Sequence, residues 1–219
     1  MRFLYRMGDI FENVLATNYE TEDAEVLISD TLDRFKNTIA EQYILRANHN
    51  KDIITLNNII NEFKIKKNCK IPHEDEWVIH IRTGDVIDNT KNSVNRFCDT
   101  NLESNGPGLC KRQYIFPLDY YKQKIKTALK YKIKKVTIVS AFHFNGFCEN
   151  HRGIKSTQYL DRVSELFEEK NFILNKQINK NNPDNDFIYL CNSKYFTNSA
   201  GGYSNLAKEI VELNKGTII

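Results

Sequence analysis

The sequence predicts an α/β domain, a parallel sheet flanked by helices, preceded by a short and mainly helical N-terminal region. Three observations carry that expectation. From residue 76 onward, short apolar runs rich in β-branched residues alternate with longer amphipathic stretches. The runs have strand length and the stretches between them have helix length, which is the signature of βαβ units. A chain of 219 residues holds one large α/β domain, or one domain with a helical appendage, but not two full-size doubly wound domains.

The elements follow in order. Within TEDAEVLISDTLDRFKNTIAEQYILRA, Val26, Leu27, Leu32, Phe35, Ile39 and Tyr43 recur near a helical period, and Thr21 before a run of acids fits an N-cap. A second helix is expected over DIITLNNIINEFK, with Ile53, Leu56, Ile60 and Phe63 on one face. Such stripes are packing surfaces and carry no chemistry. Then come the strand WVIHIR, a long polar loop, the helix PLDYYKQKIKTALKYK and the strand KKVTIVSAF. After another loop follow the helix STQYLDRVSELFEEK, the strand FILNKQ, the short helix DNDFIYLCNSK, the strand YFTNS and, past a glycine turn, the helix YSNLAKEIVEL. The expected division is a helical region over 1–75 and a Rossmann-like α/β unit over 76–219.

Bulk properties exclude several function classes. Hydrophobic residues at 41% and charged residues at 27% describe a globular chain, neither disordered nor membrane-spanning. A formal charge of +3, from 31 basic and 28 acidic side chains, argues for no nucleic-acid partner. The segment MRFLYRMGDIFENVLA holds no apolar run of signal-peptide or spanning length. The expected location is therefore cytoplasmic or soluble intracellular (host cytoplasm for a viral chain), and lumenal if an anchor was removed. The five cysteines, at 69, 98, 110, 148 and 191, show no CxxC and no zinc spacing, which fits reduced thiols. Cys98 and Cys110 bracket a polar loop and could be bridged in an oxidising lumen.

In parallel sheets, ligands sit beyond the carboxyl ends of the strands, so the residues just after each strand are the candidates for chemistry. In VIHIRTGD, alternation sends His80 and Arg82 to one face and Ile79 and Ile81 to the other. Gly84 permits a tight turn before Asp85. An arginine at a strand end suits a diphosphate, because its fork makes paired charge-assisted bonds. The competing reading makes Arg82 an ion-pair partner of Asp85 and His80 a satisfied core histidine.

In SAGGYSNLAKEI a strand ends, two glycines turn and a helix begins. The amides of that helix N-terminus and the hydroxyls of Ser199 and Ser204 form an anion site by geometry and dipole; the alternative is a plain connector. In PDNDFIYLC, Asp184 or Asp186 caps a short helix whose Phe187 and Leu190 pack inward, or else Asp186 holds a nucleoside. The DND triplet precedes a helix instead of following a strand, so no metal is assigned there. His143, Cys148 and His151 lack zinc spacing and a fourth ligand, so no metal is assigned there either.

Taken together, these segments resemble a known series. HIRTGD resembles the H-x-R-x-G-D motif of the fucosyltransferase-like superfamily, which includes the α1,2-, α1,6- and protein O-fucosyltransferases. NDFIYLCNSKYFTNSAGGYSNLA resembles that group's later motif, and FPLDYYKQKI resembles a segment of related enzymes of algae, large viruses and bacteria. The resemblance covers residues 76–213. It implies a Rossmann-like, GT-B-like C-terminal half that binds a nucleotide diphosphate sugar, GDP-linked in this group with fucose as the candidate sugar, with a glycan or glycoprotein hydroxyl as acceptor and no metal or other cofactor. Arg82 would neutralise the donor's β-phosphate, with His80 and Asp85 beside it in the catalytic turn. Ser199, Gly201, Gly202, Tyr203 and Ser204 would surround the phosphates, and Asp186 with Phe187 would contact the nucleoside. The chain departs from the pattern at Thr83, where many members carry a second arginine, and in its short helical N-terminal region. A non-catalytic nucleotide- or glycan-binding module of the same fold is the alternative.

Overall fold

The computed structural model describes residues 36–46, 52–88, 90, 92–99, 114–143, 153–178 and 183–219. Its centre is β1 (Glu76–His80), a run of apolar residues buried on both faces, as a central parallel strand requires. β1 pairs in parallel with β3 (Lys135–Ser140) on one side and with β6 (Tyr195–Thr197) on the other. β5 (Ile173–Ile178) extends the sheet beyond β3, and β7 (Thr217–Ile218) extends it beyond β6. The order β5-β3-β1-β6-β7 is all parallel and reverses direction at β1. Chain order therefore runs outward from β1 in both directions, the Rossmann-type arrangement with its switch point between β1 and β6. A second sheet of two short strands, β2 (Thr83–Gly84) and β4 (Phe142–His143), lies just past the ends of β1 and β3.

Helices cover both faces. On one side α5 (Leu118–Lys130) and α6 (Ile154–Glu168), with α3 (Asp85–Asp88) and α4 (Val94–Cys98), bury Trp77, Ile79, Ile81, Val136 and Ile138. On the other, α1 (Ile39–Arg46), α2 (Ile53–Lys66), α7 (Pro183–Cys191) and α8 (Gly202–Leu213) share one core with Val78, Val139 and Phe196. Trp77 stitches the sheet further. Its indole N–H donates to Thr197 Oγ1 at 3.0 Å, and that hydroxyl donates to the Ile219 carbonyl at 2.9 Å.

The strands and helices of residues 76–213 stand where the pattern predicts them, with ends shifted by a few residues. The expected continuous N-terminal helix is corrected. Asn37 takes a left-handed φ of 62°, and α1 starts only at Ile39. Thr38 Oγ1 accepts from the Glu41 amide at 3.3 Å while Glu41 Oε2 accepts from the Asn37 amide at 2.6 Å, a reciprocal cap that starts a helix afresh. Thr21, Val26, Leu27, Leu32 and Phe35 lie outside the described residues. α2 begins as expected, with Asp52 accepting from the Thr55 amide at 2.9 Å. Cys98 is a free thiol, and Cys110 lies outside the described residues. No helix among the described residues is long and apolar enough to cross a membrane.

Candidate functional site at the strand switch point

The switch point brings together two turns that are more than a hundred residues apart in sequence. His80 ends β1, and by alternation with Val78 its ring leaves the sheet on the α8 side. There Ser199, just after β6, meets it: Ser199 Oγ lies 3.0 Å from His80 Nδ1. The Tyr203 ring stands over the imidazole at 5.3 Å between centroids, and Phe187 backs Tyr203 at 5.2 Å. This enclosure removes water from the imidazole, and the nearby Arg82 charge adds repulsion. Together they push the His80 pKa from 6.5 down to about 3. His80 is therefore neutral at physiological pH, a hydrogen-bonding partner of Ser199 and a poor proton acceptor.

Arg82 lies two residues past His80. Its Nη2 donates to Asp85 Oδ1 at 2.9 Å, with the Asp85 side chain 9% exposed and that of Arg82 24% exposed. Its Nε is buried and has no hydrogen-bond partner among the described residues. A buried guanidinium N–H normally finds an acceptor, so Arg82 keeps unspent donor capacity at the mouth of the switch point. Of the two sequence readings, the structure shows the ion pair with Asp85.

The opposite wall is the start of α8. Gly201 takes φ 111° and ψ 155°, and no side chain among the described residues caps the helix there. That backbone conformation is essentially reserved for glycine. The Ser199 amide donates to Ser204 Oγ at 2.9 Å, which folds the turn back on the helix. Asn198 Nδ2 donates to Asn205 Oδ1 at 3.0 Å and braces it from outside. The first-turn amides of α8 therefore lie beside this turn, with the positive end of the helix dipole behind them. Ser199 and Ser204 are buried, whereas Gly201, Gly202 and Tyr203 are partly exposed.

Other residues take roles the sequence did not show. Thr83 is fully buried: its hydroxyl pairs with Ser140 Oγ at 2.7 Å and donates to the Ala141 carbonyl at 3.3 Å, while Ser140 donates to the Ile81 carbonyl at 2.8 Å. An arginine at that position would have to enter a closed hydroxyl network, so the missing second arginine follows from local packing. The Tyr114 ring leans on the glycine turn, such that a Cβ at Gly201 would lie 3.4 Å from its Cε1. No periodicity or motif marks Tyr114 in the sequence.

The α7 residues are buried. Phe187 is 1% exposed and packs in the core against Tyr203. Asp184 is structural: its Oδ2 accepts the Ile39 amide at 3.2 Å and faces Lys67 at 3.7 Å, capping α1 from a distance of 145 residues. Asp186 is buried beside Tyr203, and its negative charge adds to the burial that raises the Tyr203 phenol pKa. His143 ends β4, while Cys148 and His151 lie outside the described residues.

No family model matches the chain, and no curated protein matches it. Among solved structures it is similar to POFUT1 in complex with GDP, at 12% identity and a TM-score of 0.37, over 74% of this chain and 44% of that one. It is also similar to POFUT1 in complex with GDP-fucose, at 12% identity and a TM-score of 0.38, over 72% of this chain and 45% of that one. The chain spans less than half the length of these structures.

Proposed function

We propose that residues 76–219 bind the diphosphate of a GDP-linked sugar, with fucose the candidate sugar, and that the chain transfers the sugar to a glycan or glycoprotein hydroxyl. One observation carries this reading. The Ser199–His80 hydrogen bond at 3.0 Å joins the turn that carries Arg82 to the turn that opens α8, at the strand switch point. A diphosphate is the ligand whose charge and size suit a guanidinium and a helix N-terminus on neighbouring turns.

In this mechanism Arg82 takes up the negative charge that grows on the β-phosphate as the glycosyl bond breaks. Fixed donors aimed at developing charge supply several kcal/mol of transition-state stabilisation. The α8 amides and the Ser204 hydroxyl hold the phosphates in place. The charge is neutralised by protein groups, so the reading requires no metal. His80, neutral and bonded to Ser199, orients the second turn; with its pKa near 3 it does not deprotonate an acceptor. Residues 1–75 are taken as a reduced acceptor-side element, of which α1 is tied to α7 through the Ile39 amide and Asp184.

A second reading is supported by a specific observation. Both titratable groups nearest Arg82 already hold structural bonds, Asp85 to Arg82 and His80 to Ser199. A module that binds a nucleotide or glycan without transferring sugar fits that arrangement. Calorimetric titration with GDP, UDP and their sugars, followed by a transfer and donor-hydrolysis assay, separates the two. No nucleotide binding near millimolar concentration sinks both nucleotide readings, and binding without turnover favours the module.

A further inference from the structure

The turn that carries Arg82 is pinned from across the molecule. Gly84 holds φ 85°, a left-handed conformation that glycine adopts without steric cost. Its amide donates to Ser156 Oγ at 2.8 Å, a contact between residues 72 positions apart. Ser156 is fully buried in the first turn of α6. Its own proton is committed, because the hydroxyl donates to Asp88 Oδ2. With the proton fixed toward Asp88, a lone pair of Oγ faces the Gly84 amide.

Asp88 is fixed in turn. Its Oδ1 accepts the Lys155 amide at 3.0 Å, and so it caps α6 from another element. That role is open because the N-cap position is Gly153, whose φ is 62° and which has no side chain to cap with. Asp85 and Asp88 bound the single turn of α3. The carboxylate that holds Arg82 therefore sits between two anchored points, the Gly84 amide on one side and Asp88 on the other.

We propose that Ser156, oriented by Asp88, is a positioning residue of the donor site, fixing the Gly84 amide and thereby the Arg82–Asp85 pair. This inference rests on the donor-site reading above. Ser156 acts through the turn and not on the ligand, so its removal disturbs the phosphate contacts and leaves the nucleoside contacts intact.

The test is calorimetric titration of GDP and of guanosine into the wild type, Ser156→Ala, Ser156→Thr, Asp88→Asn, Arg82→Ala and the Arg82→Ala/Ser156→Ala double variant, with a thermal melt of each. Ser156→Ala is expected to weaken GDP binding about tenfold, the scale of one well-placed hydrogen bond, and to leave guanosine binding within about twofold. Ser156→Thr keeps the hydroxyl and restores GDP binding. The double variant is expected to bind GDP no more weakly than Arg82→Ala alone, because the two changes remove one interaction. Asp88→Asn is expected to show the same selective loss at about threefold, and it decides the matter where Ser156→Ala melts before titration. The inference is overturned if both variants bind GDP as the wild type does, or if they lose GDP and guanosine in equal measure. A wild type that binds no GDP overturns the donor reading itself, and this one along with it. A wild type that binds while the variants are unaffected overturns the positioning role alone.

Discussion

Replacing Arg82 with alanine probes the site at its most informative residue. The guanidinium is partly exposed, bonds Asp85 through Nη2 at 2.9 Å and leaves Nε without a partner among the described residues. A charge-assisted hydrogen bond to phosphate contributes about 1.5–3 kcal/mol. At about 1.4 kcal/mol per tenfold, its loss corresponds to a GDP affinity roughly 10- to 150-fold weaker. On the proposed reading the effect falls toward the upper end, because Asp85, whose side chain is 9% exposed, would be left without its Arg82 partner beside the phosphates. Arg82→Lys keeps the charge and loses the fork, so an intermediate loss is expected. Asp85→Asn loosens the group that holds Arg82 in place and should weaken GDP binding, by less than Arg82→Ala does. The assay is calorimetry at constant ionic strength, with melts to confirm folding. If Arg82→Ala binds GDP within about twofold of the wild type, Arg82 is only an ion-pair residue and the reasoning fails.

Three further outcomes are expected. His80 has a folded pKa held near 3, below its ordinary 6.5, so the folded state takes up its proton later than the unfolded chain. Stability from this group is complete above pH 6.5 and is lost as the pH falls toward 3; melts of His80→Gln should show a shallower fall across that window, and an identical fall would refute the assignment. Gly201→Ala forces a Cβ into a backbone conformation essentially reserved for glycine, against the Tyr114 ring. It should cost on the order of 1–3 kcal/mol in denaturant unfolding and weaken GDP binding as well. Phe187→Leu should lower stability by about 1 kcal/mol and leave GDP affinity unchanged, because the ring is a core residue; a selective loss of affinity would return Phe187 to the nucleoside pocket.

Much of this architecture is legible in the sequence for physical reasons. Central parallel strands bury both faces, so WVIHIR and KKVTIVS stand out as short apolar runs between amphipathic helices. The rule that ligands gather beyond strand ends picks out both the His80–Asp85 and the Ser199–Ser204 turns, and the structure brings His80 and Ser199 to 3.0 Å. What escaped depends on pairing across distance. β2, β4 and β7 are each two residues long, too short to carry a period. The start of α1 is decided by a cap at Thr38 and Glu41 inside a pattern that reads as one long helix. Asp184 and Ser156 find partners 145 and 72 residues away, which no local pattern reveals. The burial of Phe187 was not legible either, because an acid followed by an aromatic residue reads alike whether the ring faces a ligand or the core.

The most direct measurement is a crystal structure of the protein soaked with GDP. The expected result is a β-phosphate within hydrogen-bonding distance of the Arg82 guanidinium and of the first-turn amides of α8, with the Ser199–His80 bond intact behind them. GDP bound elsewhere, or bound at the switch point with its phosphates turned away from Arg82, would contradict it.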